Sequence, residues 1–297
     1  MKLNQILKKY SLVANRFEKE GKATIIDTND GRFVYKESKI NKQIFDYLKS
    51  RNFDYMPRQI NNLNDDYTLT EYLEELDIPK EQKVLDLVKL TALLHNKTTH
   101  YKEIDLDDYE KTYSDIDNNL KYLYNYYTEL ITNIESKVYM SPSEYLLARN
   151  ISQIYNSIAE DQQRLKQWHK LITEKRKQRQ VVLHNNLKLD HFIRGENSYL
   201  ISWDKAKIAS PVFDIYKLYE NHALDFDFSE ILNEYEKNYP LQHDEKLLLL
   251  ILIGMPDLIE LSNNEYTNCQ LISKSLDKMY KTNELILKQN PKDREEQ

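Results

Sequence analysis

Apolar and polar positions follow one period near the start of the chain and another after it. Up to residue 36 the period is two. Ala23-Thr24-Ile25-Ile26-Asp27-Thr28 and Arg32-Phe33-Val34-Tyr35-Lys36 flank Asn29-Asp30-Gly31. An Asp-Gly pair supplies the positive φ angles of a tight turn, so these runs predict a β-hairpin. An earlier strand over residues 12–18 is expected to turn at Gly21. Residues 39–50 read as a short helix with Ile40, Ile44, Tyr47 and Leu48 on one face. Residues 56–62 and 67–73 return to strand character, which closes a small sheet lobe near Leu73.

From Pro79 the period becomes helical. Val84, Leu87, Val88, Thr91 and Leu94 form one stripe ending at His95. Tyr109, Tyr113, Ile116, Leu120, Leu123, Tyr127, Leu130 and Ile134 alternate steps of four and three. That spacing makes a seam for a neighbouring helix, in an antiparallel hairpin, with the tyrosines as packing residues. Ser141-Pro142-Ser143-Glu144 opens the partner helix, with a hydroxyl cap, a proline in the first turn and a glutamate closing a capping box. Val181-Val182-Leu183 and Tyr199-Leu200-Ile201 predict two strand fragments with Gly195-Glu196-Asn197-Ser198 turning between them. After Pro211 the chain reads as helical to a polar tail, with Pro256 breaking one helix.

Composition narrows the function classes. Apolar residues make up 40% of the 297, enough for a packed core. A formal charge of −6 argues against nucleic acid as a ligand, which calls for a basic face. The basic run Lys175-Arg176-Lys177-Gln178-Arg179 is read as a solvated helix end. The longest apolar run, Leu247 to Ile253, is far too short to span a bilayer. Cys269 is the single cysteine and Met1-Lys2-Leu3-Asn4-Gln5 lacks the apolar run of a secretion signal, so a cytoplasmic protein without disulfides is expected.

Five segments share an order with one known family. Residues 27–36 resemble a nucleotide-lobe hairpin ending in a phosphate-binding lysine, Lys36. Leu90-Thr91-Ala92-Leu93-Leu94-His95 is similar to a helix ending in Leu-His. Leu183-His184-Asn185-Asn186-Leu187-Lys188-Leu189-Asp190-His191 resembles a catalytic loop of the form H-G-D-L-x-x-x-N. Ile201-Ser202-Trp203-Asp204 resembles I-D-W-E, and residues 210–215 resemble D-P-x-x-D-L. Together they resemble the aminoglycoside phosphotransferase and choline kinase superfamily, and within it the bacterial spore-coat kinase-like branch. The resemblance implies an α+β, two-lobed protein-kinase-like fold. Its parts would be a nucleotide-type lobe over residues 1–73 and a helical lobe over residues 74–297 with an inserted helical hairpin.

At the positions that matter for chemistry the residues differ from the family pattern. Where the family places the aspartate that orients the attacking hydroxyl, this chain has Asn186, whose amide cannot take a proton near neutral pH. The metal-binding loop asparagine is His191, and the metal-binding aspartate of I-D-W-E is Ser202. Mg²⁺ prefers hard oxygen ligands in octahedral geometry, which imidazole does not supply. The loop glycine is replaced by Asn185, a residue that tolerates the left-handed region better than most. Lys36 lacks a glutamate partner on the following helix, where Gln43 is nearest. His184, His95, Trp203 and Asp214 are read as structural. The leading expectation is therefore a pseudokinase, a binding or scaffolding module with no cofactor and no bound metal, acting on an unknown protein partner or small molecule. One alternative is a divergent ATP- and Mg-dependent small-molecule phosphotransferase using Asp190 and Asp204 as compensating acids. The other is a structural spore-coat-type protein.

Overall fold

A computed structural model describes residues 3–63 and 65–289. The polar tail beyond residue 289, and the first two residues of the N-terminal segment, lie outside the described residues. The chain is a mixed α+β protein, a small antiparallel N-terminal sheet followed by a largely helical remainder. It packs as two compact units. The first comprises residues up to 99 together with 181–209, and the second comprises 100–180 with the residues from 210 onward.

The first unit is built on strands β1 (Ala14–Glu20), β2 (Ala23–Thr28), β3 (Gly31–Lys36) and β4 (Thr68–Glu71), antiparallel in that order. The expected hairpin forms, with Asn29-Asp30 at its tip and, of the Asp-Gly pair, only Gly31 at positive φ. Thr28 pairs with Gly31, the Thr28 hydroxyl donates to the Gly31 carbonyl at 2.8 Å, and Gly31 has a φ of +115°. Alternation along the strands gives the sheet two faces. Ile26, Phe33, Tyr35 and Leu69 face a core completed by Ile6, Leu7 and Leu12, the first two on helix α1 (Leu3–Lys9). Ile25, Val34 and Thr70 are in register on the opposite face, as are Ala23, Lys36 and Thr68. Helix α2 (Lys42–Ser50) buries Ile44, Phe45 and Leu48 and is capped by Asn41. Helix α3 (Lys80–Thr98) buries its apolar stripe together with His95, the core histidine that the pattern suggested.

Several expectations for this unit are corrected. Residues 56–62 form no strand, only an isolated bridge between Gln59 and Thr70. Two backbone bonds flank the bridge, from Ile60 N–H to the Leu69 carbonyl at 2.8 Å and from Glu71 N–H to the Arg58 carbonyl at 3.1 Å. Beyond them Asn61 takes over with its side chain, accepting from Leu69 N at 2.8 Å and donating to the Tyr67 carbonyl at 2.7 Å. Helix α1 gave no sequence signal, because seven residues carry too little periodicity and are helical only through packing Ile6 and Leu7 under the sheet. The turn at Gly195 joins β7 (Phe192–Arg194) to β8 (Ser198–Leu200), so residues 181–183 are not its partner strand. They belong to β6 (Lys177–Leu183) and pair instead with β9 (Lys207–Ala209).

The second unit is helical. Helix α4 (Leu106–Glu135) and helix α5 (Pro142–Glu174) form the expected hairpin, with Ile116, Leu120, Leu123, Tyr127 and Ile134 buried along the seam. The Ser141–Glu144 capping box is present. Tyr127 is a packing residue whose hydroxyl donates to the Asp257 carbonyl at 2.5 Å. Helices α6 (Val212–His222), α7 (Phe228–Asn238), α8 (His243–Gly254) and α9 (Glu265–Gln289) complete it. The apolar run 247–253 lies in α8, buried on nearly every side, which accounts for its lack of a polar face. Among the described residues no helix is long and apolar enough to cross a membrane.

The basic run is a further correction. Helix α5 stops at Glu174, and residues 177–180 of β6 pair with β5 (His100–Glu103). Lys175 pairs with Asp244 and Arg179 with Glu245, two acids in the first turn of α8. The Arg179 side chain is 9% exposed and its guanidinium lies 4.2 Å from the centre of the Tyr239 ring. Within β6, strand alternation sends Arg179 inward, while Lys175 caps the end of α5, and no local pattern reveals the partner of either.

Candidate functional site

Residues 184–204 run beneath the cleft face of the sheet and are held by a dense set of bonds, all within the first unit. His184 is fully buried, and its Nε2 donates to the Ile201 carbonyl at 2.7 Å. Asn185 adopts the left-handed region at φ +57°, and its amide donates to the Lys205 carbonyl at 3.1 Å. An asparagine thus takes the turn, as its tolerance of this region allows. Trp203 is core, with its indole N–H donating to the Leu200 carbonyl at 2.7 Å and its ring meeting Phe45, Phe53 and His184 edge-on.

The cleft holds about 140 Å³ and opens to solvent. Ile25 and Val34 line it from the sheet, and Ile193 and Ile201 from the segment below. Lys36, Ser202 and Asp204 also line it. The Lys36 ammonium donates to Asp204 Oδ1 at 2.8 Å, with the two side chains 20% and 25% exposed. Burial alone would raise the Asp204 carboxyl, but the Lys36 hydrogen bond and charge hold it below the ordinary carboxylate range. The Asp204 carboxylate therefore stays ionised at neutral pH.

Ser202 is also left-handed, at φ +64° and ψ +54°. A side-chain-bearing residue pays about 1–2 kcal/mol there, and such strain gathers at functional positions. His191 ends a short 3₁₀ turn, and its Nδ1–H donates to the Asn186 carbonyl at 2.8 Å. That bond leaves Nε2 as the bare nitrogen. Burial, assisted by Lys188, His184 and Lys36, pushes the His191 pKa down to about 4, so the ring is neutral at physiological pH. A folded-state pKa below the unfolded value of about 6.5 means that stability is lost as pH falls from there toward 4. Asp161, buried in α5 and raised to about 7, works in the opposite sense. Melting temperature against pH, taken as the difference between the protein and His191→Asn, isolates the histidine. The protein is expected to lose ground to the variant on acidification, and parallel curves would refute the burial argument.

The remaining candidates are placed elsewhere. The Asp190 side chain is 83% exposed, 3.7 Å from Lys188, and does not line the cleft. Gln43 is exposed in the first turn of α2, and the recorded side-chain partner of Lys36 is Asp204. Asp214 is buried in α6, in the second unit. Among the described residues no cluster of three or more histidine, cysteine or acidic side chains is placed to hold a metal. Of the residues singled out for metal chemistry, Ser202 offers a hydroxyl, His191 an imidazole nitrogen, and Asp204 a carboxylate already bound to lysine. They do not fit Mg²⁺, which asks for several oxygen ligands in an octahedron.

Residues 63–249, more than half of the chain, match the model of the phosphotransferase enzyme family, and the chain belongs to that family. Its fold is that of the kinase-like phosphotransferases. An aminoglycoside phosphotransferase from Alicyclobacillus acidocaldarius aligns over 97% of this chain and 96% of its own, with a TM-score of 0.70 at 11% identity. Spectinomycin phosphotransferase in complex with ADP and spectinomycin aligns over 94% and 88%, with a TM-score of 0.53 at 13% identity. Its AMP-bound complex aligns over 96% and 94%, with a TM-score of 0.54 at 13% identity. No curated protein matches the chain.

Proposed function

We propose that this member of the phosphotransferase family is a pseudokinase, keeping the cleft as a binding or scaffolding module without ordinary Mg·ATP phosphoryl transfer. The reading rests above all on Lys36, the cation of the phosphate site, being taken up by Asp204 at 2.8 Å. Asn186, His191 and Ser202 at the base and metal positions support it. Phosphoryl transfer depends on positioned phosphates, metal ions and a carboxylate for the hydroxyl, and loss of a general base alone costs about 10²–10⁴ in rate. Residues 1–73 are assigned as the nucleotide-type lobe and 74–297 as the helical lobe, in a cytoplasmic protein related to the spore-coat kinase-like branch. A phosphotransferase with Asp190 and Asp204 as joint acids finds less support, because Asp190 is exposed and paired with Lys188.

The test is ADP release from Mg·ATP in the presence of spectinomycin, other aminoglycosides or choline, together with thermal melts in ATP with and without Mg²⁺. The expected result is no turnover and no metal-dependent rise in melting temperature. A ligand of the folded state present at about a hundred times its Kd adds about 2.7 kcal/mol, so a real complex would be visible. Turnover abolished by Lys36→Met would overturn the reading.

A further inference from the structure

The charge lining the cleft is of the wrong sign for a polyphosphate. Lys36 is the only basic side chain among the described residues that line it, against the three carboxylates of Glu20, Glu71 and Asp204. Glu71 is engaged by Arg58, accepting from its backbone N–H at 2.9 Å and lying 3.9 Å from its guanidinium, so the carboxylates left to set against Lys36 in the cleft are those of Glu20 and Asp204. Asp204 occupies the Lys36 ammonium itself. A phosphate chain entering here must displace an ionised carboxylate from its lysine and leave that carboxylate beside its own charge. Like charges at such range in a half-buried site are costly.

The rest of the cleft is suited to a different ligand. Ile25 and Val34 are directly paired across β2 and β3 and present branched side chains from above, with Ile193 and Ile201 below. Two apolar walls make a slot for a flat ring, and the Thr68, Thr70 and Ser202 side chains offer neutral hydroxyls around it. We propose that the cleft takes an uncharged, flat heterocycle of nucleoside size, and that Asp204, by holding Lys36, turns away the polyphosphate form of the same ligand. This rests on the reading of the cleft as a binding module and names the ligand class that the module selects.

Calorimetric titration of the full chain with adenosine, AMP and ATP, each with and without Mg²⁺, tests it. Adenosine is expected to bind, and ATP to bind at least about tenfold more weakly, a difference of about 1.4 kcal/mol. Mg²⁺ is expected not to close the gap. In Asp204→Asn, where Lys36 is released to an incoming phosphate, the ratio of ATP to adenosine affinity is expected to rise about tenfold. ATP binding as tightly as adenosine to the unmodified chain, in either metal condition, overturns the inference, as does an absence of adenosine binding or an unchanged ratio in the variant. The ratio in the unmodified chain decides the matter even if the variant fails to fold. Turnover of ATP would overturn the pseudokinase reading, whereas preference for ATP without turnover overturns only the present inference.

Discussion

Trp203→Ala is expected to cost about 3–5 kcal/mol of stability, the range for truncating a large buried aromatic. Trp203 is 3% exposed and meets Phe45, Phe53 and His184 edge-on at centroid distances of 6.2, 6.0 and 4.9 Å. Its N–H satisfies the Leu200 carbonyl, so truncation opens a cavity and also orphans an acceptor. Because Trp203 lies between Ser202 and Asp204 and lines the cleft, its loss should disturb both the left-handed turn and the ion pair. Trp203→Phe should recover most of the packing and remain about 1 kcal/mol short for the missing hydrogen bond. Urea denaturation of the three proteins gives the comparison. A loss under about 1 kcal/mol for the alanine variant would show that the segment is not held by this ring.

Arg179→Met is expected to cost about 3–5 kcal/mol, chiefly because it strands a buried carboxylate. Glu245 is 5% exposed and takes both the Arg179 guanidinium and the Gln242 backbone N–H at 2.8 Å. The methionine keeps much of the packing against Tyr239, and the single-variant loss includes the Arg179 bond to the Pro240 carbonyl at 2.9 Å, which the double-mutant comparison separates from the charge. Adding Glu245→Gln should then restore a large part of the stability, since the uncompensated charge is gone. The double-mutant cycle reads this as a coupling energy well above the few tenths expected of independent sites. Additive effects would mean that the pair is solvated, as the sequence pattern alone implied.

The amino-acid sequence alone determined what depends on neighbours along the chain. The Asp30-Gly31 turn, the Ser141–Glu144 capping box and the α4 seam were legible because each rests on backbone conformation or on one periodic face. Asn185 was legible too, since a left-handed position restricts residue type whatever surrounds it. Helix α1 and strands β5, β7 and β9 were not, because elements of three to seven residues are fixed by their packing partners. At the site, the sequence supplied Asn186, His191 and Ser202 at positions resembling the family's base and metal motifs, and with them the expectation that no metal is bound. Only the tertiary structure decided what Lys36 does. Its partner Asp204 is 168 positions away, and nothing local distinguishes it from exposed Asp190. Likewise, Arg179 and Glu245 look like ordinary surface charges until strand and helix place them together, 66 positions apart, away from water. Burial and pairing are properties of arrangement in space, and they set whether a charge is a solvated ornament, a structural strut or a guard on a binding cleft.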